Sequence, residues 1–483
     1  MKSPIIAKNS ILSLRKGERG VTMILVALAM IAIIAMAALS IDVTTLYLAR
    51  EEAQRSADTA ALGAARIISV SGITGTADPS TDNADWQAIC GGAGSTASLA
   101  ARAIAQQNSV GGSAPTISVL YGPGGTNADC SGLSQAFAVN PIVTVRITRT
   151  GLPTLFSRVW GRGGNSVSAS ATAEAFNPSN SGNIGYGPAG TITPVQPRCV
   201  KPIVVPNLDP LNPAGATCTT NCAKFVNPAS GAIQHPGISL GGAGSNGTIG
   251  ETFWLVADCR PSIPGSCVLR QGGLLQPQAN LATGSRIQSP PNLLYAPGQI
   301  GTTVTAIPSC TQGDAYEEAI EGCDSPTNYQ CGVANANAVD LGRNPEVNAT
   351  SNGVSCLIHE GDPTVSQPDG QDRLNPYAAP SAYPFEIVAG TSNPVSALAN
   401  KSITSSSSIV SLPIYDNSVN IASGATTNVT FVGFLQVFIN AVDQFGNVNV
   451  TVLNVSGCGN GTGTTGPPVA GSSPVPVRLI TPP

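Results

Sequence analysis

Charge is scarce in this 483-residue chain: Asp, Glu, Lys and Arg make up 10% of it, and the formal net charge is −4. Nucleic-acid binding needs a clustered Lys/Arg footprint, and beyond Arg19 the sequence offers none. Aromatic residues are scarcer still, at 5%, against 53 Gly and 38 Pro, a balance that favours short strands and turns over large helical cores. Histidine occurs only twice, as His235 and His359, so the commonest general base and zinc ligand is nearly missing. No P-loop is present. No cysteine precedes Cys90.

One absence is local. From Val21 to Ile41 there is no charged residue, and only Thr22 and Ser40 interrupt an otherwise apolar run. As a helix such a run spans a bilayer core of about 30 Å. Soluble helices rarely stay apolar all round for so long. Lys2, Lys8, Arg15, Lys16 and Arg19 precede it, whereas only Arg50 and Arg55 follow closely, so the positive-inside rule places the N-terminus in the cytoplasm and the rest outside. A secretory signal is the rival, because "AMAALS" imitates a small-residue cleavage site, but its apolar core is usually about 7 to 15 residues.

All 12 cysteines (Cys90, Cys130, Cys199, Cys218, Cys222, Cys259, Cys267, Cys310, Cys323, Cys331, Cys356 and Cys458) follow the apolar run. An even count confined to one side of a membrane segment favours disulfides in an oxidising compartment, chiefly among Cys199 to Cys356. Zinc is the competing reading, from the CxxxC pair Cys218 and Cys222, but no second close pair follows.

Past Asp42, the residues Leu46, Ala49, Ala53, Ala57, Ala60 and Ala64 recur at three- and four-residue spacing and form one narrow helical stripe. Arg50, Glu51, Glu52, Arg55 and Asp58 lie mostly off it, with Glu51 and Arg55 placed as an i,i+4 pair. One helix therefore runs from about Val21 to Ile68. The stripe has two readings: packing on the chain's own domain, or a small-residue seam for a partner helix, centred on Ala53, Ala57, Ala60 and Ala64.

The stretch "ERGVTMILVALAMIAIIAMAALSIDVTTLYLAREEAQRSADTAALGAAR" resembles the N-terminal Tad domain of TadE/TadG-like Flp pilus-assembly proteins. Asp42, Val43, Tyr47, Ala49, Arg50, Gln54, Ala57, Asp58, Ala60, Ala61, Leu62, Ala64 and Ala65 carry the likeness. "TLFSRVWG…VSASATAEAF" and "SLPIYD…VTFVGFLQVFI" echo the family more loosely. The resemblance implies a bacterial inner-membrane protein of the tight-adherence pilus system, its bulk in the periplasm and its partners other pilus-assembly proteins. Two departures stand out. Prepilin-like relatives carry Glu at the fifth position after the cleaved Gly, whereas Leu25 holds that place after Gly20 here, which argues against peptidase processing. The DxSxS metal motif of some TadG proteins is also missing, since "DPSTD" at Asp78 and "DCSGLS" at Asp129 depart from it.

The expected fold class is α+β, with a transmembrane helix continuing into a long helix and then a mostly β, disulfide-rich ectodomain. The expected segments are 1–20 (basic N-terminus), 21–41 (membrane span), 42–176 (Tad-like helix and strands), 177–197 (linker), 198–390 (loop-rich, cysteine-containing) and 391–483 (C-terminal β). Residues 70–114 read as a loop-rich excursion holding one short helix, "LAARAIAQQN". "PIVTVRITRT" and "SVSASATAEAF" alternate as strands, "LPTLFSRVWG" reads as a helical turn, "DAYEEAIEG" as a helix, and "DQFGN" as a hairpin turn between strands.

Neither histidine is credited with a nucleophile motif, so both read as loop residues, and Asp314, Glu317, Glu318 and Glu321 read as a solvated acidic helix face. The expectation is a non-enzymatic pilus-assembly component with no cofactor, no metal site and no nucleic-acid partner, associating as a homo- or hetero-oligomer through its helix. An adhesin-like surface protein and a membrane-tethered hydrolase are the alternatives.

Overall fold

A computed structural model describes residues 15–71, 74, 84–133, 137, 141–152, 164–175, 195–197, 199–211, 223–229, 231, 233–235, 247–257, 292–300, 310, 313–322, 329, 332, 334–340, 347–361, 370–376, 385–403, 405–418, 426–458, 469–471 and 475–480. The fold is α+β: one long apolar N-terminal helix, and mostly strands thereafter. Helix α1, Arg15–Val70, is unbroken over 56 residues. It contains no Pro, and its apolar and alanine-rich stretches both favour helix.

Two short helices follow: α2 (Ala84–Cys90), where a loop was expected, and α3 (Thr96–Gln107), which holds the expected "LAARAIAQQN" helix. Tertiary anchoring explains α2: its terminal Cys90 is disulfide-bonded to Cys130, and Trp86 packs on Phe137 with ring centroids 5.6 Å apart. Asn108 closes α3, donating from Nδ2 to Ile104 O at 3.0 Å. Strands β1 (Thr116–Tyr121), β2 (Ile142–Leu152) and β3 (Asn165–Ala175) then form a sheet completed by β17 (Val477–Ile480), in the order β1-β2-β3-β17. The helical turn expected at "LPTLFSRVWG" lies outside the described residues.

Six strands close a barrel. They are β5 (Ile203–Pro206), β6 (Thr252–Ala257), β7 (Asn292–Pro297), β12 (Ile409–Tyr415), β14 (Phe431–Val442) and β15 (Val448–Gly457), in the order β12-β14-β15-β6-β7-β5. Two of its seams are parallel, β5 with β12 and β6 with β7; the others are antiparallel. Strand β14 is buried from Phe431 to Ile439, as a near-continuous apolar run buried on both faces should be. The β14–β15 turn is the expected hairpin: Asp443 Oδ1 accepts the Phe445 and Asn447 backbone N–H groups at 2.9 and 3.0 Å. The boundary expected at residue 390 runs through this barrel, which takes three strands from each side of it. Burial of facing strand pairs, not chain order, decides the unit.

Two further helices pack together, α4 (Ala315–Glu321) and α5 (Val347–Ile358). Asp314 caps α4, its Oδ1 accepting Tyr316 and Glu317 N–H at 2.9 Å each. Gly353 lets the pair approach closely, since a Cβ there would come within 3.1 Å of Glu317 O and Ile320 Cβ. Short strands β9 (Arg373–Pro376), β10 (Phe385–Val388) and β11 (Ser402–Ile403) make a small sheet in the order β11-β10-β9. Two-stranded pairings join β8 (Asn337–Asp340) to β13 (Thr426–Val429) and β4 (Val195–Pro197) to β16 (Val469–Gly471).

The chain divides into two compact units. The first comprises Met1–Ala57, Ile104–Ser118 and Arg146–Ser170; the second comprises Asp58–Ala103, Val119–Val145 and Ala171–Pro483. Helix α1 and strands β1 to β3 contribute residues to both.

Candidate functional site

The strongest chemical signal is α1 itself. Every Val, Leu, Ile and Met from Val21 to Val43 is exposed, by 41% to 77%. Leaving so many large apolar groups in water on all sides of one helix is far outside what a soluble surface carries. The helix is long and apolar enough to cross a membrane. Val21 and Ile41 bound the charge-free part of it. Asp42, expected at the membrane exit, is 4% exposed.

The following turns behave oppositely. Ala53, Ala57, Ala60 and Ala64 are completely buried, as are Ala61, Ala65 and Ser56. Within the first unit, Glu52 Oε2 accepts the Gly111 N–H at 2.8 Å and Ser56 Oγ donates to Ala105 O at 3.5 Å. Gly111 is required there: its φ is +57°, and Leu152 leaves no room for a Cβ. Glu51 and Arg55 form the expected i,i+4 ion pair at 3.7 Å, well exposed on the opposite face.

Within the second unit, the last turn of α1 is tied down. A helix leaves its final four carbonyls without helical partners. Ser71 Oγ donates to Ile68 O at 2.8 Å, and Asn454 Nδ2, from β15, donates to Ser69 O at 2.7 Å. Ser69 Oγ in turn donates to Val475 O at 2.5 Å. Asn454 heads an Asn-x-Ser triplet, but it is buried and bonded, which removes it as a surface glycosylation acceptor. Burial also lowers the pKa of the Arg66 guanidinium near this end.

Disulfides account for every described cysteine. Cys90 is bonded to Cys130 and Cys310 to Cys356; Cys199 and Cys458 are disulfide-bonded as well. No cysteine is free among the described residues. Cys218, Cys222, Cys259, Cys267, Cys323 and Cys331 lie outside them, and with them the CxxxC pair. One group of donors lies within 4.8 Å of one another, Cys310, Glu321 and Cys356, but both sulfurs are already spent on the disulfide.

The acidic cluster is a correction in part. Asp314 is exposed and Glu318 half-buried, as on a solvated face, but Glu317 and Glu321 are 6% and 2% exposed. Burial, and then the neighbouring Glu317 and Glu318, push the Glu321 carboxyl up to about 7, against the opposing pull of Lys201. Lys201 is itself buried; desolvation brings its ammonium down to about 8, Glu321 working the other way, and its Nζ donates to Gly322 O.

A second acid pair was not legible in sequence. Asp209 and Glu251, distant in the numbering, are both buried and hydrogen-bonded side chain to side chain, with Thr248 Oγ1 donating to Asp209 Oδ2 at 3.1 Å. Burial, followed by the Asp209 charge and that hydrogen bond, pushes Glu251 up to about 10, so it is a neutral acid at pH 7. Asp209 and Glu251 are 0% and 4% exposed, so the pair lies inside the fold rather than on its surface.

One pattern corrects the expectation that no nucleophile motif lies beside a histidine. Gly237-Ile238-Ser239-Leu240-Gly241 has G-x-S-x-G spacing and follows His235. It falls outside the described residues. His359 sits just past α5 with φ +61°.

Residues 20–66 match the family model of Tad, described as putative Flp pilus-assembly TadE/G-like. The match covers both halves of α1 and stops before Ser69. No curated protein and no solved structure matches the chain.

Proposed function

We propose that the protein is a non-enzymatic, membrane-anchored component of a Tad/Flp-type pilus-assembly or tight-adherence system. It sits in the inner membrane with its N-terminus in the cytoplasm and presents a periplasmic, β-rich ectodomain to other assembly proteins. The observation that carries this reading is α1, whose first half exposes apolar side chains all round within the segment that matches Tad. Mechanically, an unbroken helix transmits position and torque that a Gly/Ser linker would lose. Its far end is fixed by the hydrogen bonds of Ser69. The reading calls for no cofactor. Its working surfaces are contacts, with the lipid on one segment and with partner proteins on the ectodomain.

Orientation is tested with alkaline phosphatase fused after Pro483, which is active only outside the cytoplasm; an inactive fusion beside an active cytoplasmic reporter overturns the topology. Function is tested by deleting the gene and restoring it in two forms, full-length and with residues 1–41 replaced by a cleavable signal peptide. Piliation should return only with the anchored form. Normal piliation in the deletion strain overturns the pilus reading, and surface labelling of the ectodomain without a piliation defect supports an adhesin instead.

A further inference from the structure

The Cys310–Cys356 disulfide differs from the other described pair in ways that closure of the chain cannot explain. Cys90–Cys130 and Cys310–Cys356 close loops of similar length, with separations of 40 and 46 residues. The loop-entropy terms therefore match closely. Cys90 and Cys130 are completely buried, whereas Cys310 and Cys356 are both partly exposed. Beside the accessible pair lies Glu321, the last residue of α4, with a carboxylate oxygen within 4.8 Å of both sulfurs. Its Oε1 is buried and has no hydrogen-bond partner among the described residues. A buried carboxyl group with an unmet oxygen destabilises a fold unless something offsets it.

We propose that Cys310–Cys356 is an exchangeable disulfide, opened and closed by an external protein dithiol, and that Glu321 carries the proton for the exchange. In the opening direction a thiolate of the dithiol attacks one Sγ and forms a mixed disulfide with it. The Cys310–Cys356 bond breaks, and its electron pair leaves on the other sulfur, which takes the proton of the Glu321 carboxylic acid. The second thiolate of the dithiol then attacks its own sulfur in the mixed disulfide and releases the first cysteine, which is protonated from solvent. Two electrons pass from the dithiol to the protein; the dithiol ends as a disulfide and the protein as two thiols. Closure runs the same steps backwards, with the Glu321 carboxylate accepting a thiol proton before the freed thiolate attacks.

The charges around Glu321 suit that role. Glu317 and Glu318, on its own helix, disfavour its ionised form, and Lys201, from the segment before β5, favours it. The balance, with burial, brings the group to about 7, where both protonation states are populated at neutral pH. Asp314 is engaged at the far end of α4 in its cap. The inference is independent of the pilus reading, since it needs only access for a dithiol.

The test uses the full-length protein in detergent micelles and dithiothreitol as the dithiol. Opening of each disulfide is followed by alkylation and peptide mass spectrometry from pH 5 to 9, with rates divided by the thiolate concentration of the reagent. Cys310–Cys356 should open faster than Cys90–Cys130, and its normalised rate should fall as pH rises through about 7, because the acid is lost. Glu321→Gln should remove that inflection and slow opening at pH 6 by about tenfold or more. Glu321→Asp should restore part of the rate, while Cys90–Cys130 stays unchanged in every variant. Equal opening of the two disulfides, or a wild-type profile without the inflection, overturns the inference even if the Gln variant fails to fold. An unaltered profile in a folded Glu321→Gln protein overturns it too.

Discussion

The two halves of α1 share one backbone and one helix, yet they solve opposite problems. From Val21 to Val43 the large side chains are exposed all round; Ala53, Ala57, Ala60, Ala61, Ala64 and Ala65 are buried to the last atom. Side-chain volume makes the difference. A bilayer accepts bulky apolar groups on every face because it has no preferred direction around the helix. A protein neighbour accepts only the face turned toward it, and alanine lets that neighbour approach the helix backbone. The same periodicity that makes one half uniform makes the other half a stripe.

The sharpest way to break this contrast is to enlarge the stripe. Ala57→Leu with Ala64→Leu adds six carbons to fully buried sites, and overpacking costs about 1 to 3 kcal/mol per site. Chemical denaturation should show a loss of several kcal/mol or a failure to fold. Unchanged stability means that the stripe is not tightly packed. Falling piliation at unchanged stability would return the stripe to the role of a partner seam.

The converse change leaves packing alone and attacks the exposed half. Ile31→Lys places a charge at mid-span, which costs about 3 kcal/mol of insertion. A larger share of the protein should be extracted from washed membranes, while the melting temperature of the ectodomain stays within a degree or two. A matching loss of ectodomain stability means that this half is packed on protein after all.

Titration separates the halves a third way, because no ionisable group occupies Val21 to Ile41 while buried acids lie in the strand-rich part that follows. Glu251 has a folded pKa of about 10 against 4.5 for an ordinary Glu, so the folded state keeps a proton that the unfolded chain releases. Its contribution to stability is therefore fully present below about pH 4.5 and is lost as pH rises toward 10. Glu321 acts in the same direction between about 4.5 and 7. Glu251→Gln, which keeps a donor toward Asp209 and cannot ionise, should remove on the order of 2 kcal/mol of the fall between pH 5 and 7. A wild-type melting temperature that rises over that interval contradicts the assignment.

Smaller effects sharpen the comparison at its edges. Asn454 Nδ2 is the donor to the buried Ser69 carbonyl. Asn454→Ala strips that carbonyl of its partner and should cost about 1 to 2 kcal/mol in denaturant melts. No loss would mean that water replaces the amide. On the exposed face, Glu51→Gln breaks only the ion pair with Arg55. It should move stability by no more than about 0.5 kcal/mol. A larger change would show that this face is also covered.

Legibility in the sequence followed the range of the interactions. Helix α1 was fully readable, because a helical period and a charge-free run are written in neighbours. So were β2 and β3, from their alternation, the Asp443 hairpin, and α4, which Asp314 announces as its cap. Helix α5 was not: "VNATSNGVSCLI" is rich in Asn, Ser, Thr and Gly, poor helix formers, and it holds its shape beside α4, where Gly353 fits against Ile320. Nor was α2, which depends on Cys90–Cys130.

The sequence by itself determined the apolar span, the alanine stripe beyond it and the disulfide chemistry, since each rests on composition or on short spacings. Tertiary structure alone decided where those features are used. It pairs β5 with β12 and β17 with β3, partners that lie far apart along the chain, and no local pattern encodes such pairings. It buries Glu251 beside Asp209, and Glu321 beside Glu317, Glu318 and Lys201, so that Glu251 and Glu321 acquire altered proton affinities. Burial and neighbouring charge set those affinities, and both are properties of a place in the fold rather than of a residue in the chain.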